Sequence, residues 1–118
     1  MPIKHKIMNE TPKLTNVQML FLECVGADKV SGRHLREQMA QRGWKKSAPM
    51  FYQLAARLED EGLVEGSYQQ RVIAGQPVRE RQYRLTARGK EAFVEALRFC
   101  LERVHNNPGF LGGAPGYV

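Results

Sequence analysis

The chain has 118 residues, a mass of 13.4 kDa and a formal net charge of +6, with 42% hydrophobic and 25% charged residues. This length fits one domain, and the ordinary composition excludes a wholly disordered chain. No apolar stretch approaches the roughly 20 residues of a membrane span, and residues 1–13 lack the apolar segment of a signal peptide. We therefore expect a cytoplasmic protein that has no membrane partner. Cys24 and Cys100 lie far apart without ligand spacing and predict two reduced thiols, with no metal or cofactor.

Two amphipathic helices are predicted in the first half of the chain. Thr15 and Gln18 have the spacing of a capping box, and apolar residues then recur at helical intervals. Ser31 is the predicted N-cap of a second, shorter helix, which ends near Gly43 because glycine readily adopts the left-handed conformation of a helix terminus.

A third helix is predicted between Ser47, as its N-cap, and Gly62, as its terminator. The connection at residues 43–46 has the length of the turn in a helix-turn-helix motif. One face of this helix is apolar and predicted to be buried. The opposite face is predicted to be exposed and carries Pro49, Met50, Gln53, Ala56, Arg57 and Asp60.

The hydrophobic pattern changes after Gly62. Residues 64–72 and 79–85 have strand character, and the cluster at residues 74–77 predicts a turn, so we expect a β-hairpin with a long, basic tip. This hairpin, residues 64–85, is called the wing. Thr86 then caps a fourth helix. The predicted fold is mainly α (α+β): a winged helix-turn-helix with a two-stranded wing and a C-terminal helix.

The domain organisation follows from these elements. Residues 1–13 form a basic arm, 14–85 a winged helix domain, 86–105 a dimerisation helix and 106–118 an irregular Gly/Pro-rich tail. The fourth helix has an apolar stripe longer than a three-helix core can cover, which favours an isologous homodimer. The alternative is that this helix folds back onto the first. The predicted dimer contacts are Phe93, Leu97, Cys100, Leu101 and Val104.

Positive charge is concentrated in the middle of the chain. Residues 31–58 contain six basic side chains and one acidic one, followed by the acidic run at residues 59–61. Such a segment suits a polyanion that is contacted by one face of the protein. Lys45 and Lys46 are the main candidates for phosphate contacts, beside a helix N-terminus that also favours anions, and Arg33 and Arg36 are lesser candidates. The alternative for each is a solvated surface charge.

Base recognition requires side chains on the exposed face of the third helix. Paired hydrogen bonds from glutamine and arginine distinguish adenine and guanine. The candidates are Ser47, Met50, Gln53 and Arg57. Arg57 could instead pair with the neighbouring acidic run or with the wing. At the wing tip, candidates for the minor groove or backbone are Arg71, Gln76 and Arg79, whereas Arg81 beside Glu59 is predicted to form a structural ion pair.

Two segments carry a family resemblance. They are Tyr52-Gln53-Leu54-Ala55-Ala56-Arg57-Leu58-Glu59-Asp60-Glu61-Gly62-Leu63-Val64 and Arg81-Gln82-Tyr83-Arg84-Leu85-Thr86-Ala87-Arg88-Gly89. Together they resemble the PadR family of transcriptional regulators, although Gln53 stands where many members have proline. The resemblance implies a homodimer that binds double-stranded operator DNA, usually to repress. Many relatives have a longer C-terminal domain for a small-molecule effector, and the single helix here argues against one.

Three other function classes compete with a DNA-binding regulator. An enzyme is disfavoured because His5, His34 and His105 are scattered, with no nucleophile, paired carboxylates, phosphate loop or ligand spacing near them. A winged helix module that binds protein without DNA would have the same fold, and the basic segment argues against it. RNA binding would require an exposed stacking platform of aromatic residues, which the sequence lacks.

Overall fold

The computed structural model describes residues 14–109, so the predicted basic arm and residues 110–118 of the predicted tail lie outside the described part of the chain. Four helices and three strands follow one another in the order expected for the predicted fold. They are α1 (Asn16–Val25), β1 (Val30–Ser31), α2 (Gly32–Gln41), α3 (Ala48–Asp60), β2 (Val64–Ile73), β3 (Gln76–Leu85) and α4 (Ala87–Asn106).

All four helices begin at the caps that the sequence predicts. The Thr15 hydroxyl accepts a hydrogen bond from the Gln18 amide, and the Gln18 side chain accepts one from the Thr15 amide, each at 3.0 Å. Ser31, Ser47 and Thr86 each accept a hydrogen bond from the amide three residues further on. Each cap satisfies a main-chain donor that has no partner within its helix, which fixes where the helix starts.

The three strands form one antiparallel sheet in the order β1–β3–β2. The predicted pairing of the two wing strands is confirmed, with Val64 opposite Leu85 and Gly66 opposite Tyr83. The sequence did not predict β1, in which Val30 pairs with Tyr83. This two-residue strand ties the entry into α2 to the base of the wing.

The predicted long tip of the wing is wrong. The two strands have ten residues each and meet at a two-residue turn formed by Ala74 and Gly75, whose φ angles are 51° and 79°. Positive φ at both positions is the requirement of the tight hairpin turn that matches the twist of paired strands. Gln76 and Pro77 therefore belong to β3 rather than to a loop.

The core is formed where the helices pack against the base of the wing. Its centre is an aromatic group in which Phe21 of α1 stacks on Phe51 of α3 at 5.6 Å and meets the edge of Tyr83 of β3 at 5.8 Å. Burial of these rings supplies much of the hydrophobic stabilisation. The buried core consists of Phe21, Leu22, Val25, Leu35, Met39, Phe51, Ala55, Leu58, Leu63, Val64 and Tyr83.

The end of α3 and the start of α4 meet at one junction. Gly62, with a φ of 77°, reverses the chain after α3, and its carbonyl accepts a hydrogen bond of 2.6 Å from the Thr86 hydroxyl. The Leu63 carbonyl accepts another from the Thr86 amide at 3.2 Å. Gly89 lies directly against the Leu63 carbonyl, where no Cβ fits. The two family-like segments are therefore in contact with each other.

Gly89→Ala tests this close approach. An alanine normally stabilises a helix interior by up to about 1 kcal/mol relative to glycine. Here we expect the opposite sign, a loss of about 1–3 kcal/mol in the free energy of unfolding, because the new Cβ must displace main chain. Urea unfolding followed by circular dichroism measures the difference. Lys90→Ala, on the exposed neighbouring position, is the control and should change little; a stabilised Gly89→Ala would contradict the packing.

Candidate nucleic-acid interface

The predicted base-reading residues lie on the exposed side of α3. Met50 is half exposed, and Gln53 and Arg57 are exposed, while Phe51 and Leu58 on the other side are buried in the core. Ser47 is exposed, but its hydroxyl oxygen already accepts the Met50 amide hydrogen at 3.3 Å. The hydroxyl of Ser47 therefore remains available only as a donor or a second acceptor.

The basic residues before α3 lie beside the start of α2. Lys45 and Lys46 are exposed, and a terminal nitrogen of Arg36 donates a hydrogen bond of 3.2 Å to the Lys46 carbonyl. Within residues 14–109, neither lysine forms an ion pair, and the alternative pairing of Arg57 with the acidic run or the wing does not occur. Among the described residues, no carboxylate pairs with Lys45, Lys46 or Arg57 to offset its positive charge.

A second contact joins α2 to the wing. Arg33, one turn before Arg36, lies 3.6 Å from one carboxylate oxygen of Glu80, and Arg71 donates to the other oxygen at 2.7 Å. These contacts bring together five predicted DNA-binding residues from three elements. We call this set the basic strip; it consists of Lys45, Lys46, Arg36, Arg33 and Arg71.

The other face of the wing carries a separate cationic group. Cross-strand register places Arg79 opposite Gln70 and Arg71 opposite Val78, so the two arginines lie on opposite faces of the hairpin. The Arg79 guanidinium lies 4.2 Å from the centroid of the exposed Tyr68 ring. The structure thus does not bring Arg79 together with the basic strip. Gln76 is exposed next to the turn.

The predicted Arg81–Glu59 ion pair is present. A terminal nitrogen of Arg81 lies 2.5 Å from Glu59 at the end of α3, and both side chains are only 24% exposed. The guanidinium also lies over the Tyr68 ring at 4.6 Å. A Cβ at Gly66 would lie 2.6 Å from the Arg81 guanidinium and 2.7 Å from the Glu59 carboxylate, so glycine leaves room for the pair in this geometry. The pair fixes the base of the wing to α3.

The fourth helix has apolar residues on two sides. Ala96 is buried, Phe93 is partly buried against the protein's own core, and α4 contacts α1. These contacts are the ones expected of the alternative in which this helix folds back onto α1, and the dimer contact of the partly buried Phe93 stays a prediction. Leu97, Leu101 and Val104 are 41–59% exposed, and Cys100 is exposed.

The sequence did not predict a role for three residues of the wing and of α4. The polar sequence around Glu80 predicts a solvated charge, yet only 9% of this residue is exposed. Tyr68 was not assigned, although its position two residues after Gly66 on an alternating strand could have indicated a shared face with Arg79 and Arg81. Val94 is 43% exposed and shares a side of α4 with Leu97, a spacing of three residues that periodicity could have detected.

Two kinds of feature are absent from the part of the chain that the structure describes. No helix within residues 14–109 combines the length and apolar character needed to cross a membrane. Among the same residues, histidine, cysteine and carboxylate side chains form no group of three that could hold a metal ion.

The order of the elements and the exposed α3 define a winged helix-turn-helix protein. The sequence profile of the transcriptional regulator PadR-like family matches residues 21–95, which is more than half of the chain. The chain therefore belongs to the PadR-like family of transcriptional regulators, as the resemblance predicted. This is a family of DNA-binding regulators and not of enzymes. A search of curated proteins gives no match.

Solved structures of family members have the same fold. A PadR family regulator from Clostridium difficile R20291 aligns with a TM-score of 0.68 at 18% identity, over 82% of this chain and 99% of that one. A PadR family regulator from Eggerthella lenta DSM 2243 has a TM-score of 0.57 at 25% identity, over 79% and 78%. Bacillus subtilis PadR, solved in complex with operator DNA, has a TM-score of 0.57 at 17% identity, over 70% of this chain but 48% of its own.

The pKa of Glu80 is lowered from its ordinary value of 4.5. The main cause is the hydrogen bond from Arg71; burial acts in the opposite direction, and the charges of Arg71 and Arg33 lower the pKa further. Because the pKa is lower in the folded protein, the ionised carboxylate stabilises the fold above pH 4.5. This stabilisation is lost as the pH falls through the folded-state pKa.

A pH series of unfolding tests that contribution. We expect Glu80→Gln to be less stable than the wild type near neutral pH, and the difference in free energy of unfolding to shrink as the pH falls below 4.5. Urea unfolding at each pH gives the values. Glu65→Gln removes an exposed carboxylate that pairs with Arg84 on the same hairpin, and should have little effect at any pH. A Glu80→Gln difference that stays constant into the acid range would refute the assignment.

Proposed function

We propose that this chain is a sequence-specific transcriptional regulator that binds double-stranded DNA as a homodimer and represses by occupying its operator. In this proposal residues 14–85 bind DNA, with α3 in the major groove and the wing on the adjacent backbone or minor groove. Residues 86–105 form the dimerisation helix. The protein acts in the cytoplasm, and the proposal includes no small-molecule effector.

The observation that carries this proposal is the continuity of the basic strip. A hydrogen bond from Arg36 links α2 to the segment just before α3, and the ion pair of Arg33 with Glu80 links α2 to the wing. Phosphates along a groove require cations on successive elements that flank the reading helix, and this arrangement supplies them. The exposed side chains of α3, Gln53 and Arg57 among them, then face the groove between those contacts. Bacillus subtilis PadR, which has the same fold, was solved in complex with operator DNA, and this supports DNA as the partner.

The proposed dimer is supported by a stripe of exposed apolar residues on α4. Val94, Leu97, Leu101 and Val104 are spaced by three, four and three residues, the repeat of a seam between two helices. All four are at least 41% exposed, whereas Ala96 of the same helix is buried. A second copy would cover this stripe through a two-fold contact and would set two α3 helices about 34 Å apart, one DNA turn.

Salt-dependent DNA binding tests the proposal. A dimer that makes 6–10 phosphate contacts should lose about a thousandfold or more in affinity for duplex DNA between 50 and 200 mM salt. Lys45→Ala with Lys46→Ala should weaken binding to every sequence alike and lower the salt slope, because phosphates carry no sequence information. Fluorescence anisotropy with a mixed-sequence duplex and with a selected operator measures both effects.

The matched control removes the same charge elsewhere. Arg42→Ala with Lys90→Ala also deletes two cations, but Arg42 pairs with Glu23 and Lys90 lies on α4, away from the basic strip. We expect a much smaller loss for this control. Equal losses for the two double variants would mean that only net charge matters. Gln53→Ala should change the preference for particular bases, and an absence of DNA binding even at low salt would favour a protein-binding module instead.

Leu101→Glu tests the dimer. A charge in the middle of the stripe leaves each of two facing helices with a buried, unpaired carboxylate, so the variant should be monomeric at concentrations where the wild type is dimeric. Sedimentation equilibrium measures the mass. Arg103→Glu places the same residue on another side of α4, where Arg103 lies over Phe99, and should stay dimeric. A wild type that is monomeric at every concentration would exclude this interface.

A further inference from the structure

Glu80 is buried in a part of the wing where almost everything else is exposed. In β2 every residue from Ser67 to Val72 is exposed, and in β3 the four residues before Glu80 are exposed as well. Glu80 itself is 9% exposed. A lone carboxylate is costly to bury, so its burial needs partners that offset the loss of water.

Both partners of Glu80 are cations of the basic strip. Arg71 comes from the neighbouring strand of the hairpin, and Arg33 comes from α2, which lies 47 positions earlier in the sequence. The Arg33 contact therefore joins the exposed part of the wing to the helix pair. It is separate from the Arg81–Glu59 pair, which fixes the base of the wing to α3 on the other face of β3.

The two guanidinium groups keep the capacity to bind an anion. Their side chains are 62% and 50% exposed, although the carboxylate between them is not. A guanidinium has five N–H donors, so one bond to Glu80 leaves several donors directed elsewhere. One carboxylate against two guanidiniums also leaves a net positive charge. Arg33 and Arg71 thus form an exposed cationic pair whose geometry is held by the buried carboxylate of Glu80.

We propose that Glu80 is a positioning residue for DNA binding, which holds Arg33 and Arg71 together as a preformed, two-guanidinium site for a backbone phosphate. The inference rests on the proposed function. Ordering a long side chain on binding costs conformational entropy, and a carboxylate that orders two arginines beforehand removes much of that cost. The same contact holds the wing against α2, so the phosphate site spans both elements.

A positioning role predicts that loss of Glu80 weakens DNA binding, whereas net charge alone predicts that it strengthens binding. Glu80→Gln raises the net charge by one, and if Glu80 only repelled DNA or neutralised the arginines, the variant would bind DNA more tightly and with a steeper salt slope. If Glu80 is a positioning residue, its loss should weaken binding about fivefold or more at fixed salt, because both arginine side chains must then be ordered on binding. The salt slope should become shallower by about one phosphate contact.

The experiment measures duplex binding by anisotropy across a salt series at neutral pH, for the wild type, Glu80→Gln and Glu65→Gln. Glu65→Gln makes the same charge change on the same hairpin at an exposed pair, and we expect equal or slightly tighter binding. Tighter binding by Glu80→Gln overturns the inference while leaving the proposed function intact. Failure of the wild type to bind at low salt overturns both.

A double-mutant cycle supplies a second readout that loss of fold cannot imitate. In the wild-type background Arg71→Ala should weaken binding, and in the Glu80→Gln background the same change should cost much less, because the arginine is no longer positioned. Equal costs in the two backgrounds overturn the inference. If Glu80→Gln does not fold, as judged by circular dichroism, the cycle is run on Arg33→Ala and Arg71→Ala. The preformed pair predicts that these two losses do not add, and additive losses overturn the inference.

Discussion

The contact between the end of α3 and the start of α4 is the constraint on which both proposed surfaces depend. Gly62 and Leu63 present their carbonyls to Thr86, and Gly89 lets the main chain of α4 lie on Leu63 without a side chain between them. This junction fixes in one place the direction of α3, the proposed reading helix, and of α4, the proposed dimer helix. It explains why the two family-like segments, which are separated by the whole wing, carry a common signature: each supplies half of one packing contact.

Pairing of charges decides which part of the basic surface is available to a partner. Arg71, Arg81 and Arg84 of the wing each meet a carboxylate, so the net charge of the chain overstates the positive field around the hairpin. The lysines before α3 have no such partner within residues 14–109. The strongest field therefore lies at the entry of the reading helix, where the helix dipole adds to it. The proposed contribution of the carboxylate-paired wing arginines to DNA binding lies mainly in the orientation of their guanidinium groups, which the carboxylates hold in fixed geometry.

Features set by local chemistry could be predicted from the sequence, and features set by distant contacts could not. The four caps depend on a hydroxyl and an amide three residues away, so Thr15 or Thr86 identifies its helix without any tertiary information. The burial of Glu80 depends on Arg33, which no local pattern connects to it. Phe93 shows the remaining limit, since an apolar residue on α4 at helical spacing does not reveal whether the chain's own core or a second copy covers it. The tight turn at the wing tip was missed because alanine is uncommon where φ is positive.

The conformation of Ala74 has a consequence for how the wing opens. Its φ of 51° costs about 1–2 kcal/mol that a glycine would not incur, and the strands next to it are solvated on both faces. Local opening should therefore begin at the tip and extend inward, because separation of the outer parts of β2 and β3 costs little free energy. They meet their first substantial resistance at Glu80, where separation of the strands would also break the contact with α2. We therefore expect the outer segment of the hairpin to exchange its amide hydrogens quickly and the inner segment to share the cooperative stability of the core.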